Sequence, residues 1–299
     1  MPDAPGPLTT GRGRRNQLGR SSARRLQVVR SVRAQLVRAR TATASLRALP
    51  DFIIIGAQKA GTTSLYAYLS AHPQVRPGLF KEAHFFDLRF DLGERWYRSV
   101  FPLRARLNRA HAITGEASPY YLFHPLAAER AASVVPHARL IVLLRDPVER
   151  AWSHYRHEVA AGHEQLSFLA ALEAESRRLA GAEEAVRTGT SPELAENHRR
   201  FGYVARGRYA DQLERWFSVF GRDQVLVLRA EDLFGDPAET WRRTQEFLGL
   251  RHALHEDFAA HNAQPSVNFP AGARELLDEA FRKPNEDLAA LLGPEFTWP

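Results

Sequence analysis

The sequence of 299 residues predicts an α/β fold of three layers, in which a central, mostly parallel β-sheet is flanked by helices. Three apolar runs, at residues 52–55, 139–144 and 225–228, have the length and the unbroken hydrophobicity of strands that are buried on both faces. A helical pattern follows each run. Because 44% of the residues are hydrophobic, the chain can bury a sizeable core. One domain over residues 49–299, preceded by a basic arm over residues 1–48, is therefore expected.

The other elements follow from periodicity and from residues that break helices. Helices are predicted at residues 62–71, 93–100, 125–135, 147–158, 207–220, 238–248 and 271–281. A fourth strand is predicted at residues 113–116. The polar segment over residues 162–200 is expected to be helical with loose connections and to border a substrate cleft.

The loop after the first strand is the most informative segment. The strand ends at Gly56, Gly61 follows, and a helix begins at about Thr62. This order of strand, glycine loop and helix directs backbone N–H groups and a helix N-terminus toward an anion. The glycine spacing matches the phosphate loop G-x-x-x-x-G-K-[ST], which makes the predicted fold P-loop-like, but Thr62 stands where that motif has Lys. The loop therefore predicts an anion site for something other than a magnesium-bound triphosphate.

Lys59 lies inside this loop, and lysine is rare in the chain. Of 41 Lys and Arg residues, only Lys59, Lys81 and Lys283 are Lys. A compact ammonium enters a tight phosphate site where a planar guanidinium does not fit. The alternative is an ordinary strand-to-helix turn with a solvated Lys.

A second anion site is predicted after the second strand. Arg145 stands at the carboxyl end of that strand, where open α/β sheets bind ligands. Ser153 lies about two helical turns further along, on the same side of the helix. Asp146 is the predicted N-cap of this helix, and Glu149 completes a capping box. The alternative is an Arg paired with a nearby acid and a Ser on the surface.

Composition excludes several kinds of chemistry. The chain has no Cys, which rules out disulfides, thiol nucleophiles and thiolate metal sites. Its 12 His show no clear metal spacing, since His154 and His157 are predicted to lie on a helix surface, and no metal is expected. No stretch is apolar enough to span a bilayer, and no signal-peptide region is recognisable, so a cytoplasmic protein is expected.

The net charge of +7 is concentrated in the arm. Residues 1–50 hold eleven Arg and one acidic residue, Asp3, so they contribute about +10 and leave the rest near −3. The arm is expected to be disordered or loosely helical. Residues 24–37 could also form a basic amphipathic helix that makes weak contact with a membrane surface. No aromatic residue precedes Phe52, so nucleic acid is not an expected partner. The oligomeric state stays open.

The two anion segments together resemble the sulfotransferases that use 3′-phosphoadenosine 5′-phosphosulfate (PAPS). Residues 54–63 resemble the family's loop for the 5′-phosphosulfate, and residues 145–153 resemble its 3′-phosphate segment. Landmarks of the branch that contains the heparan sulfate sulfotransferases have similar segments at residues 81–87, 115–120, 207–209 and 284–292. The resemblance covers roughly residues 50–292. It implies PAPS as the cosubstrate.

The resemblance also implies roles for single residues. The implied PAPS-binding set is Gly56, Lys59, Ala60, Gly61, Thr62, Thr63, Arg145 and Ser153. Lys59 would neutralise the charge that grows on the bridging oxygen as 3′,5′-ADP leaves. Backbone N–H groups and the two Thr hydroxyls would hold the 5′-phosphate, while Arg145 and Ser153 would bind the 3′-phosphate.

Glu82 matches the family's general base, which takes a proton from an acceptor hydroxyl or amine. His84 could assist it or bind the acceptor. The alternatives are an exposed acid paired with Lys81 and a structural His. Two departures bear on the acceptor and on the cofactor lid: Ala117 stands where the animal enzymes usually carry Lys, and residues 261–270 replace a loop that contains Cys in those enzymes. The expected acceptor is a carbohydrate, a glycolipid or another small metabolite.

Two other functions remain open at this point. A P-loop kinase or NTPase would need a Ser or Thr after a loop Lys to bind magnesium, and the loop does not have that pair. A non-catalytic binding protein, tethered by its basic arm to a membrane or to nucleic acid, would lose its function when the arm is deleted.

Overall fold

A computed structural model describes residues 32–255, 257–259 and 269–298. Its strands are β1 (Phe52–Gly56), β2 (Gly115–Ala117), β3 (Arg139–Leu144) and β4 (Val225–Arg229). They form one sheet in the order β2-β1-β3-β4, and every neighbouring pair is parallel. Helices surround this sheet. The predicted α/β class with a central parallel sheet flanked by helices is confirmed.

The helices are numbered in chain order. They are α1 (32–41), α2 (Thr62–Ala71), α3 (Phe85–Leu88), α4 (Gly93–Val100), α5 (Arg104–Ala110), α6 (Ala127–Val134), α7 (Pro147–Ala160), α8 (Phe168–Leu179), α9 (Ala182–Thr188), α10 (Pro192–Arg200), α11 (Tyr209–Phe220), α12 (Ala230–Gly235), α13 (Pro237–Leu248) and α14 (Ala273–Leu292). Short 3-10 turns are found at Ala44–Leu46, Phe90–Leu92, Ala205–Gly207 and Pro294–Phe296.

The two central strands bring the two predicted anion segments together. Every residue of β1 is buried, and β3 is buried from its second residue onward. The strands pair in register from Phe52 beside Arg139, so their carboxyl ends lie side by side. The Ala57 N–H donates to the Leu143 carbonyl at 2.7 Å, which continues the pairing one residue beyond β1. The loops that follow β1 and β3 therefore open at the same edge of the sheet.

The last helix is longer than predicted. The sequence prediction ended it at residue 281, but α14 continues through Pro284 as far as Leu292. Proline removes one backbone hydrogen bond inside a helix. Buried apolar residues on both sides of it, Phe281 and Leu288, pack against the body and offset that loss.

The prediction for His154 was wrong, because this side chain is fully buried rather than on a helix surface. The segment over residues 162–200 folds into α8, α9 and α10. An apolar cluster that includes Ala151 of α7 and Phe168 of α8 joins these elements. The ring of His154 contacts the ring of Tyr203 at 5.0 Å between centroids. Burial by this tertiary contact could not be read from the polar neighbours of His154.

The predicted arm lies outside the described residues as far as position 31. From there α1 and the 3-10 turn lead into β1, and Val37, Ala44 and Ala48 are buried against the body. The domain boundary at 48/49 and a cytoplasmic location stay predictions. Within residues 32–255, 257–259 and 269–298, no helix has the length and the apolar character needed to cross a bilayer.

Candidate active site

A cavity of about 1010 Å³ opens at the carboxyl edge of the sheet. The residues that directly follow β1, β3 and β4 contribute to its walls. The lining residues are Gln58, Lys59, Gly61, Thr62, Thr63, Lys81, Glu82, Pro119, Arg145, Asp146, Glu149, Ser153, His157, Arg229, Ala230, Glu231, Phe234, Phe258 and Trp298. Its volume suits a large polar ligand such as a nucleotide. We call this cavity the cleft.

The glycine loop is shaped by two close approaches. A Cβ on Gly56 would lie 2.5 Å from the Leu122 side chain, so only glycine fits there. Gly61 has a φ of +89° and a Cβ on it would lie 3.0 Å from Phe234. Gly61 is the N-cap of α2, and no side chain caps this helix. The first N–H groups of α2, which have no partner inside the helix, are thus exposed to the cleft beside Thr62 and Thr63.

Lys59 projects a cation from this loop into the cleft. Its φ is +73°, a left-handed conformation that is uncommon for residues other than glycine. Burial lowers the pKa of the Lys59 ammonium, and the nearby charges of Arg145 and Arg156 lower it further. Among the described residues no carboxylate lies within ion-pair distance of the Lys59 ammonium. An anionic ligand would relieve this unbalanced charge.

Arg145 occupies the opposite wall, at the start of α7. Its guanidinium makes only long contacts, one to the Lys59 carbonyl at 3.4 Å and one to the Glu149 carboxylate at 3.6 Å. The Tyr209 hydroxyl donates to the Arg145 carbonyl at 2.8 Å and holds the backbone in place. Ser153, two turns along α7, lines the same cleft. The backbone is therefore fixed while the guanidinium remains available to a ligand.

The predicted N-cap of α7 is confirmed, but the predicted capping box is wrong. The Asp146 carboxylate accepts from the Val148 N–H at 2.8 Å. The Asp146 N–H donates to Glu231 at 2.9 Å rather than to Glu149. Glu149 instead pairs with Arg274 at 2.6 Å, because α14 brings that guanidinium within reach of α7. A tertiary contact therefore replaces the local one.

A chain of paired charges forms the third wall of the cleft. Lys81 forms an ion pair with Glu82. His84 Nε2 lies 3.5 Å from the Glu82 carboxylate, and His84 Nδ1 lies 2.7 Å from Asp87. Burial alone would raise the pKa of Glu82, but the hydrogen bond from His84 and the charge of Lys81 outweigh it and lower that pKa to about 2. Burial alone would lower the pKa of His84, but Asp87 and Glu82 raise it to about 9.

Glu116 supports this wall from below and was missed by the sequence analysis. It is completely buried in β2, and burial raises its pKa. Its carboxylate accepts hydrogen bonds from the Ala83 N–H at 3.1 Å, the Ser118 hydroxyl at 2.7 Å, the Tyr97 hydroxyl at 2.7 Å and the Tyr121 hydroxyl at 3.0 Å. An acid inside a predicted strand was the one available signal.

Backbone strain marks the predicted catalytic residues. In the described part of the chain, four residues other than glycine have positive φ: Lys59 at 73°, Glu82 at 62°, His84 at 51° and His111 at 46°. Three of these four are the residues predicted to be catalytic. Such conformations cost about 1–3 kcal/mol each and persist where surrounding structure enforces them, often at functional sites.

The structure brings most of the predicted site residues together. Those that line the cleft are Lys59, Gly61, Thr62, Thr63, Glu82, Arg145 and Ser153. Gly56 and Ala60 are buried beneath the loop and offer only backbone groups. His84 stands behind Glu82 and does not line the cleft. The segment over residues 162–200, which was predicted to border a substrate cleft, contributes no lining residue.

Several lining residues come from segments without any local motif. Phe234, Phe258 and Trp298 form apolar parts of the wall, and the Arg229 guanidinium lies 5.6 Å from the Trp298 ring centroid. Gln58, on the loop, accepts a hydrogen bond from the buried Arg206. These residues are far apart in sequence, so only the folded chain reveals that they share one cavity. Across the described ranges no group of three or more His, Cys, Asp or Glu side chains could hold a metal ion.

Comparisons with known proteins agree with this geometry. A family model described as "Sulfotransferase domain" matches residues 49–268. Heparan sulfate glucosamine 3-O-sulfotransferase 6 of Homo sapiens is 29% identical over 276 residues, which cover 84% of this chain and 74% of that protein. Bifunctional heparan sulfate N-deacetylase/N-sulfotransferase 4 of Mus musculus is 34% identical over 210 residues, which cover 68% of this chain.

The chain spans 22% of the length of that bifunctional mouse protein. Among solved structures, a sulfotransferase from Alicyclobacillus acidocaldarius shares 34% sequence identity and superposes with a TM-score of 0.59 over 82% of this chain and 96% of that one. The fold, the family model and these relatives agree. The chain belongs to the sulfotransferase family and resembles the heparan sulfate sulfotransferases within it.

Proposed function

We propose that the protein transfers a sulfuryl group from PAPS to a hydroxyl or an amine of a carbohydrate, a glycolipid or a small metabolite. The observation that carries this proposal is the cleft itself. Lys59 on the loop, Arg145 with Ser153 on α7, and Glu82 on the third wall all line this one cavity. The names of the relatives refer to heparan sulfate, which supports a carbohydrate acceptor.

The chemistry of the walls suits a doubly phosphorylated nucleotide. We define the donor side of the cleft as the glycine loop together with Arg145 and Ser153. The free N–H groups at the start of α2, with the hydroxyls of Thr62 and Thr63, suit the 5′-phosphate. The loosely paired Arg145 guanidinium suits the 3′-phosphate, since guanidinium and phosphate match in two parallel hydrogen bonds. A 3′-phosphate contact distinguishes PAPS from ordinary adenine nucleotides.

Lys59 is proposed to stabilise the leaving group. Sulfuryl transfer resembles phosphoryl transfer in having a loose transition state, so catalysis rests on positioning and on charge stabilisation. As the sulfur–oxygen bond to the nucleotide breaks, negative charge grows on the bridging oxygen. An ammonium that is partly buried and lacks a carboxylate partner among the described residues interacts strongly with such a charge.

Glu82 is proposed to accept the acceptor's proton, on what we define as the acceptor side of the cleft, formed by Lys81, Glu82 and His84. With a pKa of about 2, Glu82 is ionised at neutral pH but is a weak base. A weak base is sufficient in this reaction, because the acceptor oxygen becomes far more acidic as its bond to sulfur forms. The proton is then transferred late in the step.

His84 is proposed to position Glu82 rather than to act as a base. Its pKa of about 9 keeps the imidazole protonated at neutral pH. A protonated His84 between Asp87 and Glu82 holds the Glu82 carboxylate in its strained conformation. The pairing of Glu82 with Lys81, which the sequence analysis offered as the alternative role, coexists with the position of Glu82 in the cleft.

The kinase or NTPase alternative has less support. Thr62, rather than a Lys followed by Ser or Thr, stands at the end of the loop. Hydrolysis of ATP that requires magnesium would revive this alternative.

Calorimetric titration with 3′,5′-ADP and with 5′-ADP tests the proposal. The wild type should prefer 3′,5′-ADP, Arg145→Ala should lose that preference, and Lys59→Ala should bind both nucleotides more weakly. Lys283→Ala and Arg177→Ala are matched controls, since both residues are exposed and far from the cleft in sequence. Tight 3′,5′-ADP binding that survives both cleft substitutions would overturn the proposed site.

A further inference from the structure

A second cavity lies at the other end of the sheet. It has a volume of about 310 Å³ and is lined by Arg40, Arg47, Pro102, Leu103 and Arg106. We call it the arginine pocket. Arg47 precedes β1 by five residues and pairs with Leu103 in an isolated antiparallel bridge, so the pocket lies beyond the amino end of β1. It shares no lining residue with the cleft.

The charge of this pocket is not balanced by the protein. Three guanidiniums line it and no carboxylate does. Among the described residues, Arg40, Arg47 and Arg106 form no ion pair with any acid, although many other arginines of the chain do. Burial, together with the charges of Arg47 and Arg106, lowers the pKa of Arg40 to about 10. Such a cluster is stabilised when an anion enters it.

The pocket holds its guanidiniums in place while leaving hydrogen-bond donors free. Arg40 and Arg47 both donate to the Phe101 carbonyl, and Arg47 Nε donates to Thr43 at 3.0 Å. Arg40 Nε is buried and finds no acceptor in the described part of the chain. No acceptor among the described residues is found for the Arg106 side chain either. Fixed guanidiniums with open donors are suited to an oxyanion such as a phosphate.

Exposed apolar side chains stand beside this pocket. Val32 and Leu36, which are 48% and 47% exposed, lie on the same stripe of α1 as Arg40, at spacings of four residues. Leu46, which is 60% exposed, is adjacent to Arg47. The helix that carries them is held against the body by the buried Val37. Apolar side chains that flank cations are typical of surfaces that enter a lipid headgroup layer.

We propose that the arginine pocket is a docking site for the phosphate of an anionic lipid at a membrane surface. Arg40, Arg47 and Arg106 bind the phosphate, while Val32, Leu36 and Leu46 enter the boundary between headgroups and acyl chains. Because the pocket lies at the amino end of β1 and the cleft at its carboxyl end, docking leaves the cleft open to substrates. This inference does not depend on the proposed reaction.

Vesicle binding by the full chain tests the inference. Sedimentation is measured with vesicles of phosphatidylcholine alone and with vesicles of equimolar phosphatidylcholine and phosphatidylglycerol. Arg47→Gln/Arg106→Gln should weaken partitioning to the anionic vesicles roughly 30-fold, since each arginine near such a surface contributes about 1 kcal/mol. The control Arg177→Gln/Arg251→Gln removes the same charge at exposed positions elsewhere and should have little effect.

Two further variants separate the pocket from a fold defect and from the basic arm. Arg106→Gln alone changes an exposed side chain and should still weaken binding about fivefold relative to Arg177→Gln. Leu36→Ser/Leu46→Ser should weaken binding relative to Leu166→Ser/Leu276→Ser, all four residues being exposed. Binding of 3′,5′-ADP serves as the fold control in every variant.

Three results would overturn the inference. Equal losses in the pocket variants and in their controls would assign any binding to general charge. Equal binding to neutral and anionic vesicles would exclude a headgroup phosphate. Saturable binding of inorganic phosphate without binding to anionic vesicles would identify a site for a soluble anion instead.

Discussion

The donor and acceptor sides of the cleft balance their charges in different ways. On the donor side, Lys59 has no carboxylate partner among the described residues, and Arg145 reaches Glu149 only at 3.6 Å. On the acceptor side, Lys81, Glu82, His84 and Asp87 form a continuous chain of ion pairs. One side therefore carries a positive charge that awaits a ligand, while the other is already compensated.

This difference indicates a division of labour. An unpaired buried cation destabilises the empty protein and gains most from an anion, so the donor side is built for binding. A compensated chain of charges holds its side chains in a fixed geometry whether or not a ligand is present, so the acceptor side is built for chemistry. Variants of the donor side should change nucleotide affinity, and variants of the acceptor side should change turnover alone.

The largest expected effect comes from Glu82→Gln. This variant should lower turnover by about 10²–10⁴-fold, because it removes the proposed proton acceptor. Its affinity for 3′,5′-ADP should remain that of the wild type, which calorimetry measures alongside transfer from labelled PAPS to an acceptor found by screening. Glu149→Gln is the control for loss of a cleft carboxylate. A parallel loss of nucleotide affinity in Glu82→Gln would abolish the distinction between the two sides.

The next effect is on stability. Glu116→Gln should lower the free energy of unfolding by about 3 kcal/mol, because the new amide meets two of the four donors that the carboxylate now accepts. Urea unfolding measures this change against the exposed control Glu129→Gln. Turnover should also fall, since Glu116 holds Ala83 and the strained wall beside it. Unchanged stability would mean that the acceptor side does not depend on this buried network.

A smaller effect is expected on the donor side. Ser153→Ala should weaken 3′,5′-ADP binding about fivefold, which corresponds to ~1 kcal/mol for one hydrogen bond to a charged group. Binding of 5′-ADP should not change, because that nucleotide lacks the 3′-phosphate. Equal weakening for both nucleotides would place Ser153 elsewhere on the ligand.

The smallest effect concerns pH. The pKa of His84 is raised from 6.5 to about 9, so the folded protein holds this proton more tightly than the unfolded chain. The stabilisation from His84 is therefore fully present below pH 6.5 and is lost as the pH rises to about 9. The difference in unfolding free energy between wild type and His84→Gln should shrink from no more than about 1 kcal/mol to zero over that interval. Denaturant titrations across this range would contradict the assignment if the difference stayed constant.

Much of the fold was predictable because the signals are local. The apolar runs that became β1, β3 and β4 are buried, and such strands read as continuous hydrophobic segments. The helix starts at Pro147 and Pro237 are marked by an Asp and a Pro in sequence. Predictions failed where a distant element intervened: α14 continues through Pro284, and Arg274 takes Glu149 away from its capping box.

The candidate site divides in the same way. Gly56, Lys59, Gly61, Arg145 and Ser153 could be singled out because each belongs to a strand end or a helix start, where the backbone dictates what binds. Phe258, Trp298 and Arg229 could not, because their segments meet only in the folded chain. The supporting role of Glu116 was equally hidden, since its four donors come from four places in the sequence.

By itself, the sequence of this protein determined the parallel sheet, the two anion-binding segments and the family to which they point, because hydrophobic runs, glycine spacing and helix caps act over a few residues. Only the tertiary structure decided that the donor side is left with unpaired cations and the acceptor side is compensated. Only the tertiary structure, too, gathered Arg40, Arg47 and Arg106 around one pocket. Charge balance depends on distances between side chains that lie far apart along the chain, and those distances exist only once the chain has folded.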